Sequence, residues 1–591
     1  MKKFLFYSGV ISAIPMLLTG CIDKDYDLDN LDKTSDIRID NLVLPMNLDA
    51  ITLKDILDVD ADSKIQAVTI DGKEFYAVTQ HGEFNSQAID IPQFGVNTPD
   101  VAPTNATFDL FTPMATKAAS DPVSFEYHLH DFTSQKVEFN GTNIDESVKA
   151  LYSLTSLPAN LSVTLTAIDV PSFASVSFSS ITLNILKGLK FSNIPSNYNY
   201  DPNTGVLAIT NLDNSSNITV ISLNLEGIDL TKYDTNVTNG VFAINDQLDI
   251  TSSVIKVEID PTKIPANYTP NNIITFSVKT NIDDLTVTHV SGEVEYKLEG
   301  DGLNIAPVDL TDIPDFLNQD GSNLKLANPQ IYINLNNPVA PYNLYYQTGL
   351  KFTAVRESGS ATFEPDNNKL IATRPNNAGP YNFLLAPSQT TPLPDYSANL
   401  EFIQFSSLSN LLSGNGLPDA IDIELINPGI PLQSVIDFEL GKQIDGISGT
   451  YDFLAPIALN DGSVIVYSDK KDGWYSDDLD KLTIDVLQVD ADVTTTLPLE
   501  AKLTAYPIDI NGNRINQSKA EIILPANANG DHITIKMEGP IKDLDGIEFT
   551  AIVTPGSNEA LAPSQTITLK NLKAKVSGVY TFDLDDDDDN D

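Results

Sequence analysis

The sequence contains little cysteine, tryptophan or histidine, and few basic residues compared with its acidic ones. Among 591 residues there are one cysteine, one tryptophan and five histidines. A single cysteine cannot form a disulfide within the chain, so the fold must be stable without one. Five histidines are too few for a dense transition-metal protein. The 35 lysines and arginines are outnumbered by 81 acidic residues, and the net charge of −46 excludes nucleic acid and anionic membrane surfaces as default partners.

The sequence also lacks a membrane-length apolar run and the common catalytic motifs. Residues 4–18 form an apolar stretch of about 15 residues, whereas a membrane-spanning helix needs about 20. There is no G-x-S-x-G, H-E-x-x-H, phosphate loop or dinucleotide fingerprint. With 81 acids some close carboxylate pair is certain, so such a pair does not identify a glycoside hydrolase. The sequence therefore predicts a non-enzymatic protein, with a surface glycoside hydrolase as an alternative.

The N-terminus carries an export signal that ends at the lone cysteine. Lys2 and Lys3 precede the apolar stretch, and Thr19 and Gly20 provide small residues just before Cys21. A free exposed thiol is a liability in an oxidising compartment, and no second cysteine exists to pair with it. A modified cysteine is therefore favoured over an incidental one. Removal of residues 1–20 takes away two lysines and leaves 33 basic against 81 acidic residues, a net charge of about −48.

The sequence LTGC at 18–21 resembles the bacterial lipobox, and IDKDYDLDNLDK after it resembles the acidic export stretch of Bacteroidota surface lipoproteins. The resemblance implies cleavage between Gly20 and Cys21, acylation of Cys21 with chains such as palmitate, and a membrane anchor at that residue. It also implies display on the cell surface at the outer membrane, with a periplasmic location as an alternative. The whole chain resembles large acidic Bacteroidota lipoproteins, a family of undefined function.

Alternation of apolar and polar residues dominates the rest of the chain. Segment 494–505 places four apolar residues on one face of a strand and its charged residues on the other. Segments 221–225, 331–335 and 533–537 repeat this pattern, and each is predicted to be a strand with one solvent-exposed side. Strands at intervals of roughly 8 to 12 residues predict a mainly β fold of tandem antiparallel β-sandwich (Ig-like) domains.

Helical periodicity is rare, and the chain divides into several regions. Short helices are predicted at 144–154, 310–318 and 405–412. The predicted regions are a signal peptide at 1–20, an acidic tether at 21–40, an N-terminal β-rich domain at 41–140, β-sandwich domains at 141–300, 301–445 and 446–583, and an acidic disordered tail at 584–591.

Two glycine patterns predict local strand geometry. Asn511-Gly512 is typical of a two-residue hairpin turn. The sequences VSGEVEY, ISGTYDF and VSGVYTF, which begin at residues 290, 447 and 576, share a glycine after an alternating segment. This glycine is predicted to mark a bulge or bend in a long strand, although chance similarity is an alternative.

The run SDKKDGWYSDDLDK, which begins at residue 468, is the main candidate for a binding loop. It fails as a regular calcium loop because Lys470 and Leu479 fall where oxygen ligands are required. An irregular calcium site is the remaining cofactor hypothesis, with a solvated loop as its alternative. The candidate ligands are Asp472, Asp477, Asp478 and Asp480. Trp474 and Tyr475 are candidates for an aromatic platform that binds a glycan, or for a hydrophobic plug on their own domain.

A second metal hypothesis concerns three alternating residues. Glu126, His128 and His130 share one face of a predicted strand at intervals of about 6.6 Å, a spacing at which histidines chelate a metal when a further ligand approaches. The alternative is the polar side of an ordinary strand. Taken together, the sequence predicts a surface binding module for adhesion or assembly with other proteins, and glycan capture for a polysaccharide-uptake system is the second hypothesis.

Overall fold

The structure is a computed structural model of the whole chain. The residues it describes are 34–45, 51–54, 64–98, 100–110, 122–129, 132–212, 217–234, 236–265, 273–298, 305–311, 313, 321–323, 325–414, 417–473, 475, 481–515, 519–557 and 559–583. The predicted signal peptide, Gly20, Cys21 and the acidic tail at 584–591 lie outside the described residues.

The described part of the chain consists mostly of β-strands, which confirms the predicted mainly β fold. In chain order the strands are β1 (Thr34–Pro45), β2 (Ile51–Thr52), β3 (Ile65–Ile70), β4 (Lys73–Asn85), β5 (Phe94–Asn97), β6 (Thr104–Asp109), β7 (Val123–Leu129), β8 (Gln135–Thr142), β9 (Val148–Ile168), β10 (Ala174–Asn184), β11 (Leu189–Ser192), β12 (Tyr198–Asp201), β13 (Val206–Thr210), β14 (Ile218–Asp229), β15 (Phe242–Ile259), β16 (Ile273–Ile282) and β17 (Leu285–Lys297). They continue with β18 (Val308–Asp309), β19 (Gln330–Leu335), β20 (Gln347–Val355), β21 (Ala361–Phe363), β22 (Ile371–Ala372), β23 (Tyr381–Ala386), β24 (Leu400–Gln404), β25 (Ala420–Glu439), β26 (Ser448–Pro456), β27 (Ile465–Lys471), β28 (Leu482–Thr495), β29 (Leu499–Ile508), β30 (Ala520–Leu524), β31 (Asn529–Ile541), β32 (Gly546–Pro555) and β33 (Thr566–Asp583).

Helices are short, as predicted. An α-helix at Leu408–Leu411 confirms the helix predicted within 405–412. One-turn 3-10 helices occur at Pro261–Lys263, Ala340–Tyr342, Asp366–Asn368 and Pro394–Tyr396. Most of the helix predicted at 310–318 lies outside the described residues.

The helix predicted at 144–154 is wrong, because this segment leads into the 21-residue strand β9. β9 pairs with β17 through several register shifts, one of which sets Ser291 and Gly292 opposite Ser153 and Leu151 and leaves Tyr152 as the extra residue. Each bulge breaks the alternation, so the buried side chains follow at irregular intervals. Their spacing imitates the i, i+3, i+4 pattern of a helix.

A large sheet network is formed by β5 to β18, β20 to β22 and β25, and it contains the largest core. β9 lies at its centre, pairing with β14 on one edge and with β16 and β17 on the other. Its inward side chains, including Leu161, Val163 and Leu165, are fully buried. In β14, Ile221, Leu223 and Leu225 are likewise buried, which confirms the strand predicted at 221–225.

A second sheet has the strand order β24-β23-β19-β26-β4-β3. All of its pairs are antiparallel except β23–β24, which is parallel. The prediction that 331–335 has one exposed side is wrong. Ile331 and Ile333 enter one apolar cluster while Tyr332 enters another on the opposite face. A central strand covered on both faces buries both sets of alternating side chains.

The C-terminal sandwich is the region formed by two further sheets. One sheet has the order β1-β33-β28-β31, with β2 also on β33, and the other has the order β27-β32-β29-β30. The strand predicted within 494–505 begins only at Leu499, one residue after Pro498. The two-residue hairpin turn predicted at Asn511-Gly512 is wrong. Ile508 and Arg514 close a five-residue loop instead, in which the Gly512 N–H donates to the Asp509 carbonyl oxygen.

Strand pairing connects segments that the sequence assigned to separate regions. β4, from the predicted 41–140 domain, pairs with β26 of the predicted 446–583 domain. β1 begins at Thr34, inside the predicted tether 21–40, and pairs with β33 at the other end of the chain. Alternation shows which face of a strand is apolar but not which distant strand will lie beside it. The other domain boundaries stay predictions.

The glycines shared by the sequences that begin at 290, 447 and 576 lie where two backbones approach closely. A Cβ on Gly292 would lie 2.0 Å from the Ala150 carbonyl oxygen, and one on Gly578 would lie 2.3 Å from that of Thr483. Register shifts occur at or beside both glycines, which confirms the predicted bulges there. At Gly449 the ladder is regular, and the glycine instead makes room for the Asn334 carbonyl oxygen.

Candidate functional site

The loop predicted to bind calcium or a glycan is only partly described. Trp474, Asp477, Asp478 and Asp480 lie outside the described residues. Asp472 is exposed, and its Oδ2 lies 3.8 Å from Lys470 Nζ. The Tyr475 backbone N–H donates to Asp545 Oδ1 over 2.9 Å, and that of Gly473 donates to Oδ2 over 3.2 Å. Asp545 therefore holds the described part of the loop, and the calcium and glycan hypotheses stay predictions.

The alternating residues near 126 lie on an exposed strand face. Glu126 and His128 are exposed on β7, while Val123 and Leu129 at its ends are buried. His130 lies outside the described residues. Within the described ranges, no group of three or more histidine, cysteine or acidic residues is arranged to hold a metal ion.

A cavity between the two sheets of the C-terminal sandwich is the strongest candidate site. This space, here called the interstrand cleft, has a volume of about 270 Å³. It is lined by nine apolar side chains: Leu487, Val489, Leu503, Ala505, Ala520, Ile522, Ile535, Met537 and Ile547. An engineered apolar cavity of about 150 Å³ binds benzene, so this volume is large enough to hold several apolar groups.

Simple alternation directs these residues into the cleft. On β28 the side chains of Leu487 and Val489 face inward, and Gln488 and Asp490 face outward. Met537 and Ala520 are buried, whereas most of the lining is only half-buried. The two sheets therefore do not close over their apolar faces along this part of the sandwich.

Two edge strands border the interstrand cleft. Among the strands that the structure describes, β31 pairs with β28 alone and β30 pairs with β29 alone. β30 and β31 are consecutive in the chain and belong to opposite sheets, so both edges lie on the same side of the sandwich. An edge strand presents backbone N–H and C=O groups to any extended segment that approaches it.

A polar network on the outer surface fixes the strands behind the cleft. Asp490 on β28 accepts hydrogen bonds from Lys575 Nζ over 2.8 Å, from Gln488 Nε2 over 2.9 Å and from Thr534 Oγ1 over 2.8 Å. Its side chain is 10% exposed. The Lys575 ammonium and these other donors lower the pKa of Asp490 to about 2. Asp490 is therefore ionised at neutral pH and links β28 to β31 and β33.

A neighbouring carboxylate extends this network. Asp492 accepts from Asn571 Nδ2 over 2.6 Å and contacts His532 Nδ1 at 2.9 Å. The hydrogen bonds from Asn571 and His532 lower the pKa of Asp492. The D-x-D spacing on one strand puts both carboxylates on the same face, which is the sequence signal for this network.

The lining of the cleft is suited to apolar contact. Its lining consists of aliphatic and thioether side chains, which offer apolar contact and no acid, base or nucleophile. Sugar rings are bound by aromatic faces and hydrogen-bonding groups, and the lining provides neither. The arrangement therefore suits an apolar ligand or an apolar part of a larger partner.

Within the described residues, no helix has both the length and the apolar composition required to cross a membrane.

Neither a protein-family model nor a curated protein matches the chain. A solved structure assigned as a secreted protein, from Parabacteroides distasonis ATCC 8503, is similar at 16% identity and a TM-score of 0.33, over 49% of this chain and 89% of that chain. Another, assigned as membrane-anchored and from Corynebacterium diphtheriae, has 8% identity and a TM-score of 0.09, over 86% of this chain and 96% of that chain. Likeness at these TM-scores establishes no shared function.

Proposed function

We propose that the chain is a non-enzymatic binding module, anchored at the cell surface through an acylated Cys21, that binds a partner protein through the interstrand cleft. Binding of this kind serves adhesion or assembly. The observation that carries the proposal is the aliphatic cavity of about 270 Å³ beside two edge strands. Apolar side chains of a partner gain free energy by leaving water for such a cavity, at about 25 cal/mol per Å² of buried apolar area.

A protein partner fits the cleft better than a glycan does. An extended peptide supplies both apolar side chains for the cavity and backbone groups for the edge of β30 or β31. A glycan supplies hydroxyl groups, which would lose water without finding hydrogen-bond partners among the lining residues. Glycan capture at Tyr475 and its neighbours therefore ranks second.

Site-specific photocrosslinking in intact native cells tests this function. A photoreactive amino acid at Leu503, which lines the cleft, is expected to yield a discrete covalent adduct with a partner protein. The same amino acid at Lys502 is the matched control, because that side chain is 51% exposed on the opposite face of β29. Adducts from Lys502 alone, or from neither position, would contradict binding in the cleft.

A substrate screen separates binding from hydrolysis. Purified protein comprising residues 22–591 is expected to turn over none of a broad set of glycosides and esters. Turnover that a single carboxylate-to-amide change abolishes would overturn the non-enzymatic assignment, because only a catalytic acid or base gives that result.

Protease treatment of intact cells tests the location. A surface-displayed chain should be cleaved while a periplasmic control protein stays intact. Protection of the chain until the outer membrane is broken would place it in the periplasm. Loss of membrane attachment in Cys21→Ser, with unchanged circular dichroism of the purified protein, is expected if acyl chains on Cys21 are the anchor.

A further inference from the structure

We infer that the interstrand cleft of one copy binds residues 22–33 of a second copy as an added β-strand. This inference rests on the proposed function and names the partner as the chain itself. The sequence of the segment, the position where it joins the fold and the charges beside the cleft support it.

The segment IDKDYDLDNLDK alternates with the period of a strand. Over residues 22–29, Ile22, Tyr26 and Leu28 share one face with Lys24, and the aspartates at 23, 25, 27 and 29 fall on the other face. The pattern ends there, because Leu31 falls on the acidic face and Asp32 on the apolar one. In an extended conformation residues 22–29 therefore give one mainly apolar side and one strongly acidic side. A solvated tether would account for the aspartates but not for the apolar residues placed between them. A strand with one buried face accounts for both.

The length and attachment point of the segment suit a second copy. Twelve residues extend to about 40 Å, so the segment is long enough to run along the 13-residue edge strand β31. It joins the described fold at Thr34, the first residue of β1. β1 lies at one edge of its sheet and β31 at the other, with β33 and β28 between them. The segment therefore leaves its own copy at the edge opposite the cleft.

An added strand would place its acidic side along a face that carries both lysines and carboxylates. Thr534 and Lys536 face outward on β31, and Lys536 Nζ lies 2.6 Å from Glu538. Lys573 and Lys575 stand on the same outer face two strands away. Glu538, Asp490 and Asp492 lie on the same face as these cations, so the face is close to neutral. In a chain of net charge −46, such a face repels an acidic segment less than an acidic surface would. The apolar side of the segment would meanwhile face Ile535 and Met537.

The contact would be heterologous, because one edge of the sheet provides the segment and the other edge receives it. Such contacts leave an unused edge at each end and build rings or open chains of copies rather than closed symmetric dimers. Assembly of this kind agrees with an adhesion or scaffold role at a surface.

Peptide binding tests the inference directly. Protein comprising residues 34–591, which contains every described residue, is titrated with a synthetic peptide of residues 22–33 in a calorimeter. One peptide is expected to bind per protein. The matched control peptide exchanges Tyr26 and Asp27, which keeps composition and charge but splits the apolar residues between two faces. Its affinity should be at least tenfold lower.

Variants of the protein locate the binding site. Ala505→Phe fills the cleft and is expected to lower peptide affinity at least tenfold, while Lys502→Phe on the opposite face of β29 leaves it unchanged. Circular dichroism and thermal melting confirm that both variants are folded. In light scattering, protein comprising residues 22–591 should show a molar mass that rises with concentration, and residues 34–591 should stay monomeric.

Several results would overturn the inference: no binding of the native peptide, equal binding of the two peptides, or a monomeric 22–591 protein at all concentrations. A photocrosslink from Leu503 to a different protein would overturn this inference and still support the proposed function. If the peptide binds the purified protein but Leu503 gives no crosslink in cells, that result would contradict the proposed function and leave the inference about the peptide standing.

Discussion

Phe276 in the central network and Leu503 in the C-terminal sandwich both point inward from an alternating strand, yet their surroundings differ. Phe276 is fully buried between Phe108 and Phe178, with ring centroids 5.1 and 5.8 Å away. Leu503 is half-buried and faces a cavity of about 270 Å³. The same sequence pattern therefore yields a closed core in one region and an open cleft in the other. Closure depends on how completely neighbouring sheets cover each apolar face.

The largest expected effect is a large-to-small change in the closed core. Phe276→Ala should lower the free energy of unfolding by about 3–5 kcal/mol, because it removes two ring contacts and leaves a void. Leu503→Ala should cost about 1 kcal/mol or less, since that side chain already borders empty space. Urea denaturation of residues 22–591, followed by circular dichroism, measures both. Equal losses would show that the two regions are packed alike.

Adding a methyl group between two backbones should have the next largest effect. Gly292→Ala brings a Cβ to 2.0 Å from the Ala150 carbonyl oxygen, and the strands must separate. We expect a loss of about 1–3 kcal/mol of unfolding free energy. Gly95→Ala is the matched control, because its nearest neighbour would be the Leu285 carbonyl oxygen at 3.7 Å. If the control loses as much stability, the close approach of the two backbones does not explain the loss at Gly292.

Replacing a small side chain by a larger one should change the free energy of unfolding in opposite directions in the two regions. Ala354 is 2% exposed in the core beside β25, so Ala354→Leu should cost about 1–3 kcal/mol through overpacking. The side chain of Ala505 points into the cleft, so Ala505→Leu should raise the free energy of unfolding by up to about 1 kcal/mol. This gain would appear as a higher thermal midpoint of the C-terminal sandwich. A destabilising Ala505→Leu would mean that the cleft is closed in solution.

The smallest effect concerns the ion pair behind the cleft. The pKa of Asp490 is about 2 in the folded chain and about 3.9 when unfolded, so its stabilisation is complete above about pH 5 and is lost as the pH falls towards 2. Asp490→Asn should therefore cost about 1 kcal/mol at pH 7 and nothing below pH 2, a modest value because Lys575 is 35% exposed. The exposed Asp531→Asn is the control. An unchanged loss at pH 2 would exclude the ion pair as its cause.

The candidate site was harder to predict than the strands that build it. Alternation in the sequence correctly predicts that Leu503 lies on the apolar face of its strand. The aromatic and acidic residues that cluster around Trp474 instead favour that loop as the binding site. The cleft combines five strands, β28 to β32, whose inward residues have ordinary aliphatic types. No local signal distinguishes an aliphatic residue that borders a cavity from one in a filled core.

The sequence by itself determined that the chain forms strands, which residues share a face, and where glycines admit a bulge, because backbone geometry with a period of two acts over a few residues. Tertiary structure alone decided that β1 pairs with β33, that β19 is covered on both faces, and that one sandwich remains open. These outcomes depend on which distant surfaces meet. The free energy gained by burying apolar area does not depend on direction, so the sequence pattern shows that a face must be covered but not which surface covers it.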